Sequence, residues 1–173
     1  MPKEPDANVA SFFAPLRCLT HVSSQRPDMK KFARPEFLPE VVTQEAYERW
    51  LHRKAQAHVR RDRGRKNTTA TVASYKAAIH QAVCVSLGRD AYTNEILAWN
   101  LLSRYDNDES KEQGRAYKAR FALLPTVDHV GDGTGPADFR ICAWRTNDAK
   151  NDLPLGDFVN LCRKVVEANN SVG

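Results

Sequence analysis

A chain of 173 residues with 42% hydrophobic content is long enough for one domain with a core of its own, without staples. Its 26 basic residues against 21 acidic ones leave a net charge of +5, a modest excess that admits an anionic partner without naming one. No apolar run approaches the roughly 20 residues of a membrane span, and the scattered Cys18, Cys84, Cys142 and Cys162 contain no Cys-x-x-Cys pair, which excludes a zinc knuckle or redox motif written in cysteine. Four lone cysteines read as reduced thiols. The opening "MPKEPDANVASFF" has no basic region followed by an apolar one. A soluble, cytoplasmic protein is expected.

Residues 1–42 hold six of the nine prolines. Proline removes a backbone donor and pushes its predecessor toward extended geometry, so an extended arm is expected, pinned by Phe12, Phe13, Leu16, Phe32 and Phe37. A basic helical region is expected over 43–88. Thr43 is a good N-cap, and the helix after it should run to about Arg61, with Ala46, Trp50, Leu51, Ala55 and Val59 as its apolar stripe. The segment 49–66 carries Arg49, Arg53, Lys54, Arg60, Arg61, Arg63, Arg65 and Lys66 against Asp62 alone. Such a run is either a solvated face or an electrostatic footprint for phosphate. A second helix is expected over 70–87, through Val72, Tyr75, Ile79, Val83 and Leu87, stopped by Gly88; His80 reads as a packed or surface histidine.

Beyond Gly88 the pattern loosens. Tyr92–Glu95 suits a turn between strands, with Ile96, Leu97, Trp99 and Leu101 as core material, and 107–118 reads as a loop or frayed helix. Strands are expected at 119–127 and 138–144, separated by the glycine-rich "GDGTGP". A helical stretch through Asn147 and Lys150 follows. After Pro154 a last amphipathic helix is expected to turn Phe158, Leu161 and Val165 inward, with Cys162 beside them.

The order strand, Asp128-His129, loop, strand, helix with Asn147 and Lys150 has a chemical meaning. Hydrolysing a phosphodiester needs a nucleophile at neutral pH and stabilisation of charge on phosphate and leaving oxygen. A histidine can take a proton from water, and Asp128 and the Asn147 carboxamide are oxygen ligands of the kind hard cations prefer. Here the segment resembles the HNH nucleases, whose pattern runs "DH…N-L-x-x-L-C-x-x-C-[NH]-x-x-K". Asp128-His129 matches the first element, and "DFRICAWRTNDAK" (138–150) matches the rest in register. The similarity spans about 90–153.

The resemblance implies an α+β chain: a mainly helical N-terminal part, then a ββα-metal module over 89–173. It implies a metal role for Asp128 and Asn147, a general-base role for His129, and a bracing role for position 138. That position is Asp138 where the family has Asn, and Asp cannot donate a side-chain hydrogen bond. The cofactor implied is one divalent cation, magnesium or manganese. Structural zinc is not expected, since Ala143, Thr146, Asp90 and Thr93 stand where the zinc-bearing subset has cysteines; packing by Tyr92, Trp99 and Trp144 is expected to keep the knuckle's shape. Asp132 is expected to be solvated.

The function so implied is metal-dependent hydrolysis of DNA by a monomer or homodimer, with RNA as an alternative substrate. Arg53, Lys54, Arg60, Arg61, Arg63, Arg65, Lys66, Arg140, Arg145 and Lys150 are the candidate phosphate contacts; Arg145 equally suits fold support. Two rivals stand beside it: a degenerate module that binds nucleic acid without cutting, and an interaction module whose basic helix meets an acidic protein.

Overall fold

The computed structural model describes residues 31–170. The expected pinning of the arm by Phe12, Phe13 and Leu16 lies outside them. The fold is α+β and mostly helical: α1 (Gln44–Gly64), α2 (Val72–Ser86), a short 3-10 turn (Trp99–Leu101), α3 (Asn107–Arg120), strands β1 (Pro125–His129) and β2 (Phe139–Ala143), α4 (Trp144–Lys150) and α5 (Leu155–Asn170). None of these helices is long and apolar enough to cross a membrane.

Thr43 caps α1 by accepting a hydrogen bond from the Ala46 amide at 3.2 Å. The helix buries Tyr47, Trp50, Leu51, Ala55, His58, Val59 and Asp62. These positions recur at three- and four-residue steps, which places them on one face. The stripe therefore extends further than the apolar residues alone indicate, and its last members are polar. Thr71 and Ser74 form a capping box at the start of α2, which buries Tyr75, Ile79 and Val83. Leu87 does not belong to this stripe. It adopts a left-handed conformation just after the helix (φ 49°) and is 71% exposed. Gly88 follows at φ 83° and packs on Phe37 and Trp99; a Cβ there would lie 3.1 Å from the Phe37 ring.

One hydrophobic cluster runs from Leu38 and Val42 through the faces of α1 and α2 to Val127, Phe139, Ile141 and Ala143 of the strands. The helical region and the hairpin thus share a core, with α2 packed on β2.

Several expectations are corrected. In the 89–106 stretch no strand forms: an isolated bridge, Arg89 to Ile96, closes around a turn at 91–93, and the 3-10 turn Trp99–Leu101 follows. Leu97 and Trp99 are buried, but Ile96 is 68% exposed and Leu101 only half-buried. The polar 107–118 segment lies in a helix, α3, broken in backbone conformation at Gly114 (φ 58°). Asp106 caps it by accepting from the amides of Asp108 and Glu109, and Tyr117 is its buried aromatic anchor. Because α3 continues to Arg120, β1 starts at Pro125 and takes in Asp128 and His129. α5 forms as expected, but none of its residues is buried.

Candidate functional site

β1 and β2 pair antiparallel, with Asp128 opposite Arg140 and His129 opposite Phe139. Successive residues of a strand point to opposite faces, and these two neighbours meet different surroundings. Asp128 meets Tyr92 and Lys150. The Tyr92 hydroxyl donates a short hydrogen bond to Asp128 Oδ2, and Lys150 Nζ lies 3.0 Å from the same oxygen. Burial, then the Asp128 carboxylate, push the Tyr92 phenol above its ordinary range, so it stays a donor. Asp128 Oδ1 has no hydrogen-bond partner among the described residues.

His129 faces the helices instead. Its ring packs between Tyr75, Phe139 and His58, with centroids 5.8, 4.7 and 6.3 Å away. Its Nδ1 lies 2.7 Å from Oδ2 of the fully buried Asp62 on α1. Tyr75 donates to the same oxygen at 2.9 Å, and Arg61 Nε lies 3.1 Å from Asp62 Oδ1. Burial would raise the Asp62 carboxyl, but the hydrogen bonds from Arg61 and Tyr75 outweigh it and hold the group below its ordinary value. His129 Nε2 has no protein partner among the described residues.

Both residues line a cavity of about 620 Å³. Four cationic side chains, Arg61, Arg65, Arg140 and Lys150, share its wall with Tyr92 and the acids Asp132 and Asp152. Arg65 is tied across it by a 3.1 Å bond to the Asp132 carbonyl and a 3.5 Å contact with Asp152. Arg140 lies over the Tyr92 ring, 5.6 Å from its centroid. The result is a concave surface on which Arg61, Arg65, Arg140 and Lys150 stand among the carboxylates of Asp128, Asp132 and Asp152, with His129 set beside them. Asp132 sits on the rim, exposed, as expected.

The other expected site residues fall elsewhere. Asp138 is exposed and borders a separate groove along α2. Its backbone carbonyl, not its side chain, braces the loop, accepting from Val130 N at 2.9 Å. Asn147 is half-buried on α4, three residues before Lys150 and so on the same side of that helix, but it is not among the cavity-lining residues. Of the candidate phosphate contacts, Arg63 is exposed but bonded within the chain: its guanidinium donates twice to the Ala70 carbonyl, at 3.2 and 3.0 Å. Lys54 is half-buried and bonds Thr126 at 2.9 Å, Arg53 bonds Ser103, and Arg145 is ion-paired with Glu95, the fold-support alternative for that residue. Arg60 and Lys66 are exposed outside the cavity.

The knuckle region is held by hydrogen bonds more than by the expected packing. Buried Asp90 accepts from the amides of Tyr92 (2.7 Å), Thr93 (3.1 Å) and Ala143 (2.8 Å), tying the turn to the end of β2. Tyr92 is committed to the cavity, while Trp99 packs on Trp50 and Trp144 on Tyr105.

Two residue sets have donor atoms suited to a metal. Asp128 and Asn147 carry a carboxylate and a carboxamide, the oxygen donors that hard divalent ions take, although Asp128 alone of the two lines the cavity. His58, Asp62 and His129 have ligand atoms within 4.8 Å of one another. In that second set the Asp62 oxygens already face Arg61, Tyr75 and His129, which describes a hydrogen-bonded carboxylate rather than an open cation seat. In the first set Asp128 Oδ2 is likewise taken by Tyr92 and Lys150, which leaves Oδ1 as its open oxygen among the described residues.

Asp62 and Tyr75 are the site residues that motif reading missed. A signal for Asp62 was present: it is the sole acid in the 49–66 basic run, and it falls on the buried phase of α1. Comparison with known protein families, with curated proteins and with solved structures finds no match.

Proposed function

We propose that this chain is a metal-dependent endonuclease that hydrolyses DNA phosphodiester bonds at the β1 cavity, in the manner of the HNH nucleases it resembles. The observation that carries the reading is the adjacent pair Asp128-His129: a histidine held at Nδ1, with no partner on Nε2 among the described residues, beside a carboxylate, in a cavity lined by four cationic side chains.

In this reading Arg61, Arg65, Arg140 and Lys150 receive the phosphate backbone. Such contacts give affinity that is largely independent of sequence and falls steeply with salt. His129 Nε2 takes a proton from a water molecule, whose oxygen forms a bond to phosphorus as the bond to the 3′ oxygen breaks; that oxygen is then protonated by solvent. Asp128 and Asn147 would hold the divalent cation, magnesium or manganese, which supplies positive charge for the phosphate and the leaving oxygen. Lys150 and Tyr92 keep Asp128 in place.

A plasmid-nicking assay tests this. Conversion of supercoiled to open-circle plasmid is expected with magnesium or manganese, and none with EDTA. Salt-sensitive binding without metal-dependent cutting would instead assign a binding module. No affinity for nucleic acid at moderate salt would favour a protein-interaction module.

A further inference from the structure

We infer that Asp62 is the positioning residue for His129, and that position 133 is glycine to give the Asp62 carboxylate room. The inference rests on the nuclease reading and names the part of the site that reading leaves open, namely what orients the base. The family pattern assigns that work to position 138, whose side chain here is exposed.

The geometry converges on Asp62 from three sides. Its carboxylate is fully buried on α1, and His129 Nδ1, the Tyr75 hydroxyl and Arg61 Nε all reach it. An ionised carboxylate only accepts hydrogen bonds. Facing Nδ1 at 2.7 Å, it requires the ring proton there, which leaves the lone pair on Nε2, the nitrogen without a protein partner.

The β1–β2 loop is built around the same carboxylate. Gly133 has φ +81°, and a Cβ on it would lie 2.5 Å from Asp62 Oδ1 and 3.0 Å from Cγ, closer than any side chain tolerates. Buried Asn67, three residues beyond the end of α1, donates from Nδ2 to the carbonyls of Gly133 (2.9 Å) and Gly135 (3.0 Å). Its own amide donates to the Asp62 carbonyl at 3.0 Å. One short segment, 62–67, thereby fixes both the ring partner and the glycine loop above it.

The alternative is that Asp62 merely latches α1 to the hairpin. Single-turnover cleavage of a labelled duplex, together with nitrogen–proton NMR spectra of the imidazole, separates the two. Asp62→Asn keeps the shape but presents an amide donor to Nδ1, which puts the ring proton on Nε2 and blocks the base. Its cleavage rate is expected to fall about 10³-fold or more, the scale seen when a histidine is held in the wrong tautomer, while DNA affinity stays within about twofold because no phosphate contact is lost. Gly133→Ala, which displaces the carboxylate without altering its charge, is expected to lower the rate in the same direction at unchanged affinity.

In the wild type the spectra should place the His129 proton on Nδ1, a measurement that stands even if a variant fails to fold. Wild-type cleavage matched within about threefold by folded Asp62→Asn, far short of the loss a wrong tautomer brings, or a wild-type proton on Nε2, would overturn the inference and leave the nuclease reading intact. Absence of cleavage by the wild type would overturn that reading, and the tautomer would still decide whether Asp62 sets the ring.

Discussion

α1 and α5 are both long helices with an apolar stripe visible in sequence, and they end in opposite situations. α1 buries its stripe against α2 and the hairpin, and its last buried turns deliver His58 and Asp62 to the site. α5 buries nothing: Leu155, Val159, Leu161 and Val165 are 40%, 46%, 48% and 54% exposed. Periodicity tells which face of a helix is apolar, but not whether anything covers it. What separates the two is the polar residues in phase with the stripe. In α1 one of them, Asp62, has buried hydrogen-bond partners, and those partners make the helix part of the site.

Truncation gives the largest contrast. Leu51→Ala on α1 removes a fully buried side chain and is expected to cost about 2–5 kcal/mol in denaturant unfolding. Val165→Ala on α5 is expected to stay within about 0.5 kcal/mol. An equal cost at the two positions would show that α5 packs in solution.

Next comes pH. Burial, then the charges of Arg61 and Lys54, push His58 from 6.5 down to about 4, and its buried Nδ1 has no partner among the described residues. The unfolded chain therefore binds more protons than the folded one between those values. The stability so contributed is whole above pH 6.5 and is lost as pH falls toward 4, amounting to about 3 kcal/mol. His58→Phe should flatten that part of a stability-versus-pH curve; an unchanged slope would place its origin elsewhere.

The basic residues of the α1 end divide by partner. Arg63→Ala should cost about 1 kcal/mol of stability by removing its bonds to the Ala70 carbonyl, with DNA affinity unchanged. Arg65→Ala should cost up to about 1 kcal/mol through the lost bond to the Asp132 carbonyl, but unlike Arg63→Ala it should weaken DNA binding and reduce the salt slope by about 1. Exchanged behaviour would mean that the cavity is not where the backbone binds.

The helices α1 and α2 and strand β2 were legible because each depends on local pattern, whereas the first strand, expected at 119–127, lies at Pro125–His129 because α3 reaches Arg120. Lys150 was found as a motif position, although its direct partner, Asp128, belongs to another element. Asp62 was not found, since its role exists only when α1 packs on a strand 67 residues away. Arg63 and Arg145 looked like their neighbours in a basic count, and only their partners, the Ala70 carbonyl and Glu95, show that they are bonded within the chain. α3 was obscured by its polarity: a cap at Asp106 and one buried tyrosine hold it, and neither makes a stripe.

The most direct test of the central claim is the single-turnover cleavage rate of a labelled DNA duplex with magnesium, wild type against His129→Ala. Loss of a general base that acts in the rate-limiting step costs about 10²–10⁴-fold. The expected result is a rate lowered within or beyond that range at unchanged DNA affinity, and no cleavage by either protein in EDTA. Equal rates for the two proteins would contradict it, because the cutting would then owe nothing to the β1 cavity.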